Sequence, residues 1–280
     1  MMKGGIYVKI KRSERLVDLT YYLITHPFEI VSLTYFSDRF QAAKSSISED
    51  LAIIKKRFES QKIGKLETIP GASGGARFIP RLAKEDQEVM VQDLIDEINH
   101  TERLLPGGFI YLSDILGNPK WLQVIGKVIA NQYLDQDIDT VMTVATSGIA
   151  VAQSVASYLN VPFKIVTRDP KVTEGSTVSV NYVSGASGQR VEKMELSRRS
   201  LEEGTNVLVV DDFIRSGGTI EGMRSLLAEF KANLIGSAVV VENLVGKSDK
   251  PKDYQTLISV AQIDEDQKTI EFALGSLFDS

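Results

Sequence analysis

A chain of 280 residues with 43% hydrophobic content and a net charge of −5 holds enough apolar material for two packed domains. It has no cysteine, which excludes disulfides, thiolate metal sites and cysteine nucleophiles, and His26 and His100 are too few for an imidazole-rich metal centre. No apolar run reaches the length of a membrane span and no signal-peptide core opens the chain, so a cytoplasmic protein with no membrane partner is expected.

The charge is unevenly spread. Residues 1–81 carry fourteen Lys and Arg against eight Asp and Glu, and the remainder carries eighteen against twenty-nine. A basic head on an acidic body points to a polyanion as the partner of the head.

Residues 1–11 follow no pattern and form an unplaced lead-in. From Arg12, the positions Leu16, Leu19, Leu23 and Ile24 recur at helical spacing until His26-Pro27, where His26 reads as a turn residue rather than a ligand. A second short helix is expected over 32–40. In a third, Ser46 and Glu49 fit a capping box, and Ile47, Leu51, Ile54 and Phe58 make one apolar stripe. Three short helices, the third opened by serines and running into Lys55, Lys56 and Arg57, resemble a helix-turn-helix with a recognition helix last. Residues 65–70 and 76–80 read as strands around a glycine-rich turn, which makes the head a winged helix. Lys65 and Arg77 of that wing are placed to reach phosphate or the minor groove. The expected contacts to double-stranded DNA are therefore Lys44, Ser45, Ser46, Ser48, Lys55, Lys56, Arg57, Lys65 and Arg77. A three-helix domain that binds only protein is the alternative.

The body, 82–280, opens with an acidic helix over 83–104 whose apolar positions are Val89, Leu94, Ile95 and Ile98. A short strand at 109–113 and a helix over 119–134 follow, with Trp121 as core filler. From residue 140, strands (140–145, 162–167, 207–210, 234–241) alternate with helices (149–159, 219–230). Such alternation predicts a parallel sheet with helices on its faces and ligands beyond the carboxyl ends of its strands. The segment 168–190 alternates β-branched and polar residues between glycine-rich ends, so a two-stranded excursion is expected, either a lid or a passive arm for dimer packing. Residues 262–280 read as a polar tail.

One stretch organises this body. The buried-strand run Val207 to Val210 leads into Asp211-Asp212, then Phe213, Arg215, Ser216, Gly217, Gly218 and Thr219 at a helix start. A glycine loop ahead of a helix offers N–H groups and a favourable dipole to a phosphate. The adjacent carboxylates repel phosphate and suit a neighbouring polyol. A second loop at a helix start, Thr146-Ser147-Gly148, can take another anionic group.

The apolar run, Asp-Asp pair and Ser-Gly-Gly-Thr resemble the phosphoribosyl-pyrophosphate (PRPP) motif of type I phosphoribosyltransferases. The resemblance implies that Asp211 and Asp212 hold the ribose hydroxyls and that 215–219 wrap the 5′-phosphate. It also implies that Thr146, Ser147 and Gly148 hold the pyrophosphate, under a loop from which Lys171 or Arg190 neutralises it and Tyr182 covers it. With the winged helix ahead, the chain from Arg12 onward looks like the purine operon regulators of Gram-positive bacteria. That likeness implies a homodimer that senses PRPP and controls purine genes as repressor or activator, with (p)ppGpp contesting the pocket. No cofactor is obligatory, although a free pyrophosphate commonly carries Mg²⁺. The rival expectation is an active purine phosphoribosyltransferase with an accessory head, but no stacking aromatic for a base is evident in 244–250 or 262–280.

Overall fold

The computed structural model describes residues 10–71, 74–99, 103–105, 109–168, 175–184, 190–214, 217–243, 254–264 and 269–279. They fall into two units, Met1–Ala83 and Lys84–Ser280, divided two residues beyond the expected boundary.

In the first unit the order is α1 (Arg12–Thr25), β1 (Val31–Ser32), α2 (Leu33–Phe40), α3 (Lys44–Ser60), β2 (Gly64–Ile69) and β3 (Gly75–Pro80). Helix α1 stops at His26, ahead of Pro27, which cannot continue a helical ladder. Helix α2 starts where the Ser32 side chain accepts a hydrogen bond from the Tyr35 N–H at 3.1 Å. The core of this unit gathers Leu19, Leu23, Phe36, Phe40, Ile47, Leu51, Ile54, Phe58, Leu66 and Phe78 around the antiparallel sheet β1-β3-β2. This is a winged helix. Ile24, expected in the core, is exposed.

The capping box fails. Helix α3 begins earlier, at Lys44 after Ala43, without a side-chain cap, so Ser46 lies inside its first turn. Glu49 instead approaches Arg12, whose Nη2 is 3.4 Å from its Oε2. Its neighbour matters more. Asp50 is fully buried, and its carboxylate accepts from Arg15 Nε at 2.6 Å and Arg12 Nε at 2.9 Å. A charge removed from water persists only when paired in this way, and here the pairing ties α1 to α3.

The second unit opens with α4 (Lys84–Asn99), which ends short of the expected 104, and a small antiparallel pair of β4 (Leu104–Leu105) with β5 (Phe109–Ile110). Val89 is on the exposed side of α4, and Val91 takes the buried place beside Leu94, Ile95 and Ile98. Helices α5 (Ser113–Leu116) and α6 (Pro119–Gln132) follow. The Asn118 side chain caps α6 at the Lys120 N–H, and Trp121 is buried under the Lys120 ammonium, 3.9 Å from the ring centre.

Then come β6 (Thr140–Val144), α7 (Gly148–Leu159), β7 (Phe163–Val166), β8 (Thr177–Ser184), β9 (Arg190–Ser197), β10 (Asn206–Ile214), α8 (Gly218–Phe230), β11 (Asn233–Glu242), β12 (Gln255–Asp264) and β13 (Thr269–Leu274). The sheet runs β13-β12-β11-β10-β6-β7, parallel throughout except for β13, which pairs antiparallel with β12. The expected central parallel sheet is present. The polar-tail reading of 262–280 is corrected: β13 completes the sheet, and Phe272, Leu277 and Phe278 are buried.

A two-stranded excursion is present but lies later than the expected 168–190: it is the hairpin β8–β9, whose second strand runs Arg190–Ser197. Its inner face, including Val180, Tyr182, Met194 and Leu196, packs on Met223, Leu226 and Leu227 of α8. Progress along the sheet reverses at β6. The chain passes from β6 outward to β7, whereas β10, β11 and β12 extend the opposite way. The carboxyl ends of β6 and β10 therefore flank a topological switch point, the place where open parallel sheets bind ligands.

Because buried Asp50 holds two guanidinium groups, Asp50→Asn should destabilise the first unit by roughly 1–3 kcal/mol. Thermal unfolding of the full chain followed by circular dichroism checks this. A melting profile unchanged from wild type would mean the ion pairs do not contribute.

Candidate effector site and nucleic-acid interface

At the switch point, β10 extends further than the sequence suggests. Asp211, Asp212 and Phe213 lie within the strand, with Asp211 paired to Val239 and Phe213 to Val241 of β11. The acid pair is thus inside the sheet edge rather than beyond it. Asp211 is buried, and its Oδ1 accepts the Asp212 N–H at 3.0 Å. Burial first, and then the neighbouring Asp212, push the Asp211 carboxyl well above its ordinary value. Asp212 is raised as well, again chiefly by burial.

The two loops expected to take anions follow the carboxyl ends of β6 and β10. Thr146 and Ser147 are exposed ahead of α7, and Ser147 leaves its hydroxyl uncommitted to the helix cap. Gly148 is required by close approach: a Cβ there would collide with Thr143 Oγ1 and stand 2.9 Å from Asp211 Oδ1. Thr143 Oγ1 is buried without a partner beside them. On the other side, Gly217 has φ +80°, a left-handed conformation that favours glycine, and α8 begins at Gly218 with Thr219 next, half-buried. The N-termini of α7 and α8 therefore both lie at the carboxyl ends of adjacent strands, and that of α7 comes up against Asp211. Lys171, Arg215 and Ser216 lie outside the described residues.

Tyr182 is placed differently from a cover. It is buried in the hairpin, where its hydroxyl donates to Glu192 Oε2 at 2.7 Å and accepts from Arg168 Nε at 3.2 Å. Arg168 was not singled out by the sequence, although it follows β7 directly at the carboxyl edge of the sheet. It pairs with Glu192 at 3.3 Å, and its charge offsets part of the rise at Asp211. Arg190 contributes backbone to β9. Among the described residues no group of three or more His, Asp or Glu is placed to hold a metal.

In the winged helix, the first turn of α3 presents Lys44, Ser45 and Ser46 with no side-chain cap on its N–H groups, an arrangement open to a phosphate. Ser48, Lys56 and Arg57 are exposed and Lys55 half-exposed along the helix. Lys65 and Arg77 are both engaged by Glu67, at 2.8 and 2.7 Å.

Fold and site together define a two-part molecule, a winged-helix DNA-binding domain joined to a phosphoribosyltransferase-type domain. Comparison with known proteins agrees. Residues 11–80 match the family described as bacterial purine repressor, N-terminal, and residues 112–275 match the phosphoribosyl transferase domain. The purine biosynthesis transcriptional repressor PurR of Bacillus subtilis is 51% identical over 269 residues, covering 96% of this chain and 94% of its own. The purine biosynthesis transcriptional activator PurR of Lactococcus lactis subsp. lactis is also 51% identical, over 96% of this chain and 99% of its own. Among solved structures, the adenine phosphoribosyltransferase of Rhodothermus marinus matches at a TM-score of 0.51 and 22% identity, covering 60% of this chain and 96% of that one, which is a likeness of fold. The chain belongs to the PurR family of purine biosynthesis transcriptional regulators.

The raised carboxyl gives a stability test. A carboxyl whose pKa is raised by folding favours the folded state in its protonated form, fully so below about 3.9, and that contribution is lost as pH rises through the raised value. Asn has no such loss. Asp211→Asn should therefore melt above wild type by an amount that grows with pH, on the order of 1 kcal/mol at neutral pH. Melting curves at several pH values check it; a difference that shrinks as pH rises would contradict the burial of an ionisable group.

Proposed function

We propose that this chain is a regulator of purine synthesis and salvage genes that senses PRPP through its second unit and performs no transfer reaction. The observation that carries the reading is the acid pair of β10, Asp211 buried against the start of α7 and Asp212 half-buried, at the switch point where α7 and α8 both begin. Each part of PRPP finds a chemically matched group there. The ribose hydroxyls can donate to the Asp211 and Asp212 carboxylates. The loop from Arg215 to Thr219 suits the 5′-phosphate, and Thr146, Ser147 and Gly148 suit the pyrophosphate. Lys171 and Arg168 supply positive charge, and Mg²⁺ arrives on the pyrophosphate rather than in a protein cage. Nucleotides with a terminal pyrophosphate, such as (p)ppGpp, would compete for the same loops.

The first unit binds double-stranded DNA through the opening turn of α3 and its Lys55, Lys56 and Arg57, as a homodimer acting in the cytoplasm. Its affinity should fall steeply with salt, because binding to DNA phosphates releases counterions. Occupancy and DNA affinity are linked reciprocally. The relatives named repressor and activator are equally similar to this chain, so overall identity does not give the sign of control.

The test is a PRPP titration into the complex with a purine-gene control region. Wild type should change its DNA affinity by a factor of roughly 5–150. With Asp211 and Asp212 both replaced by Ala, the response should vanish while affinity without PRPP stays within about twofold, since the pair lies outside the winged helix (an estimate from the near-additivity of distant sites). A wild type indifferent to PRPP would sink the sensor reading. Sustained pyrophosphate release from PRPP with a purine base would overturn the absence of catalysis.

A further inference from the structure

In the wing, Glu67 stands directly opposite Arg77 across the β2–β3 ladder. Leu66 and Phe78, their neighbours in sequence, are buried on the inner face, so Lys65, Glu67 and Arg77 share the outer one. The Glu67 carboxylate is used at both oxygens. Oε1 lies 2.8 Å from Lys65 Nζ, and Oε2 accepts from Arg77 Nη2 at 2.7 Å and Nε at 3.3 Å. The Glu67 side chain is only 24% exposed, and the carboxyl is held below its ordinary value by Lys65 first and then Arg77. By contrast, Lys55, Lys56 and Arg57 of α3 make no ion pair among the described residues.

We infer that Glu67 is a specificity-determining positioning residue that withholds Lys65 and Arg77 from DNA phosphates unless the duplex fits the wing. This rests on the first unit binding DNA. A phosphate approaching the wing must displace a carboxylate from both cations and is itself repelled by it. Indiscriminate backbone binding is thereby penalised, and only a duplex whose groove engages the wing recovers the two charges. Selectivity achieved by weakening the wrong complex needs such a repulsive element.

The experiment uses the full chain, a duplex selected by the wild type from a random-sequence pool, and an unrelated duplex of equal length. Dissociation constants are measured across a salt series for wild type, Glu67→Gln, Glu67→Asp, Glu67→Gln with Arg77→Ala, and Lys56→Ala, each checked for an unchanged melting profile. Glu67→Gln should bind the unrelated duplex about tenfold tighter, with its preference for the selected duplex reduced. Its plot of log affinity against log salt should steepen by about one to two units, at ~0.9 for each additional phosphate neutralised. Adding Arg77→Ala should return most of the increase, and Glu67→Asp, which keeps the charge, should keep the wild-type slope. An unchanged slope in Glu67→Gln, weaker binding to both duplexes, or an increase that survives Arg77→Ala would each overturn the inference. Lys56→Ala should weaken binding whatever the wing does, which separates the two claims. A wild type that bound neither duplex would overturn the DNA reading and this inference with it.

Discussion

The second unit depends on keeping a carboxylate where a parallel sheet would ordinarily place an apolar side chain. Asp211 is paired within the β10–β11 ladder, is buried, and has Asp212 as its immediate neighbour. Such a group is costly when ionised, and its pKa is raised accordingly. What offsets part of the cost is the surroundings: the Asp212 N–H at 3.0 Å and the charge of Arg168. Gly148 is required there because the start of α7 lies against Thr143 and this carboxylate, where a Cβ would meet Thr143 Oγ1 first and then Asp211 Oδ1. A ligand that donates hydroxyls to the pair and accepts from the helix ends satisfies both sides of this arrangement at once.

Charge in the first unit follows a different rule. Its excess of basic residues is partly internal. Arg12 and Arg15 are drawn onto buried Asp50, and Lys65 and Arg77 onto Glu67. Among the described residues, α3 carries Lys44, Lys55, Lys56 and Arg57 facing solvent without an ion-pair partner, and Lys11, Arg39 and Lys62 are likewise exposed and outside the ion pairs, so net charge overstates the open basic surface by the four cations drawn onto Asp50 and Glu67. The two arginines of α1 are committed to Asp50 and tie α3 in place, and the cations left open on α3 are the ones the proposed DNA contact would use.

Much of this was legible in the sequence, for reasons that also explain the failures. Period and punctuation exposed α1 to α3, the wing and the alternation from β6 onward, because apolar stripes and Pro or Gly stops are local signals. Asp50 was hidden because its partners lie 38 and 35 residues away, and a lone acid beside Leu51 looks like surface. The end of β10 was placed too early because two carboxylates read as a strand terminus, whereas the ladder to Val239 and Val241 carries the strand through them. In β13 the signal is present in the sequence: Ile270, Phe272 and Leu274 alternate with Thr269, Glu271 and Ala273, as expected of an edge strand with one buried face. Arg168 had a weaker cue, a cation just past a strand on the ligand-binding edge. The Ser46–Glu49 spacing satisfied a capping rule that the helix, starting at Lys44, had no need to use.

The proposed sensor needs energies of an ordinary size. A ligand present at a hundred times its dissociation constant stabilises the bound state by about 2.7 kcal/mol. Shifting DNA affinity by 5–150-fold requires a coupling of roughly 1–3 kcal/mol. The binding free energy of one effector is therefore of the right size to run the switch, provided a good part of it is realised in only one arrangement of the chain. Turnover would work against this. Each transfer would destroy the molecule whose concentration is being read and would direct binding energy to a transition state instead of to the difference between two conformations. On the proposed reading, a site that held the ribose-phosphate and performed no transfer would let occupancy report concentration.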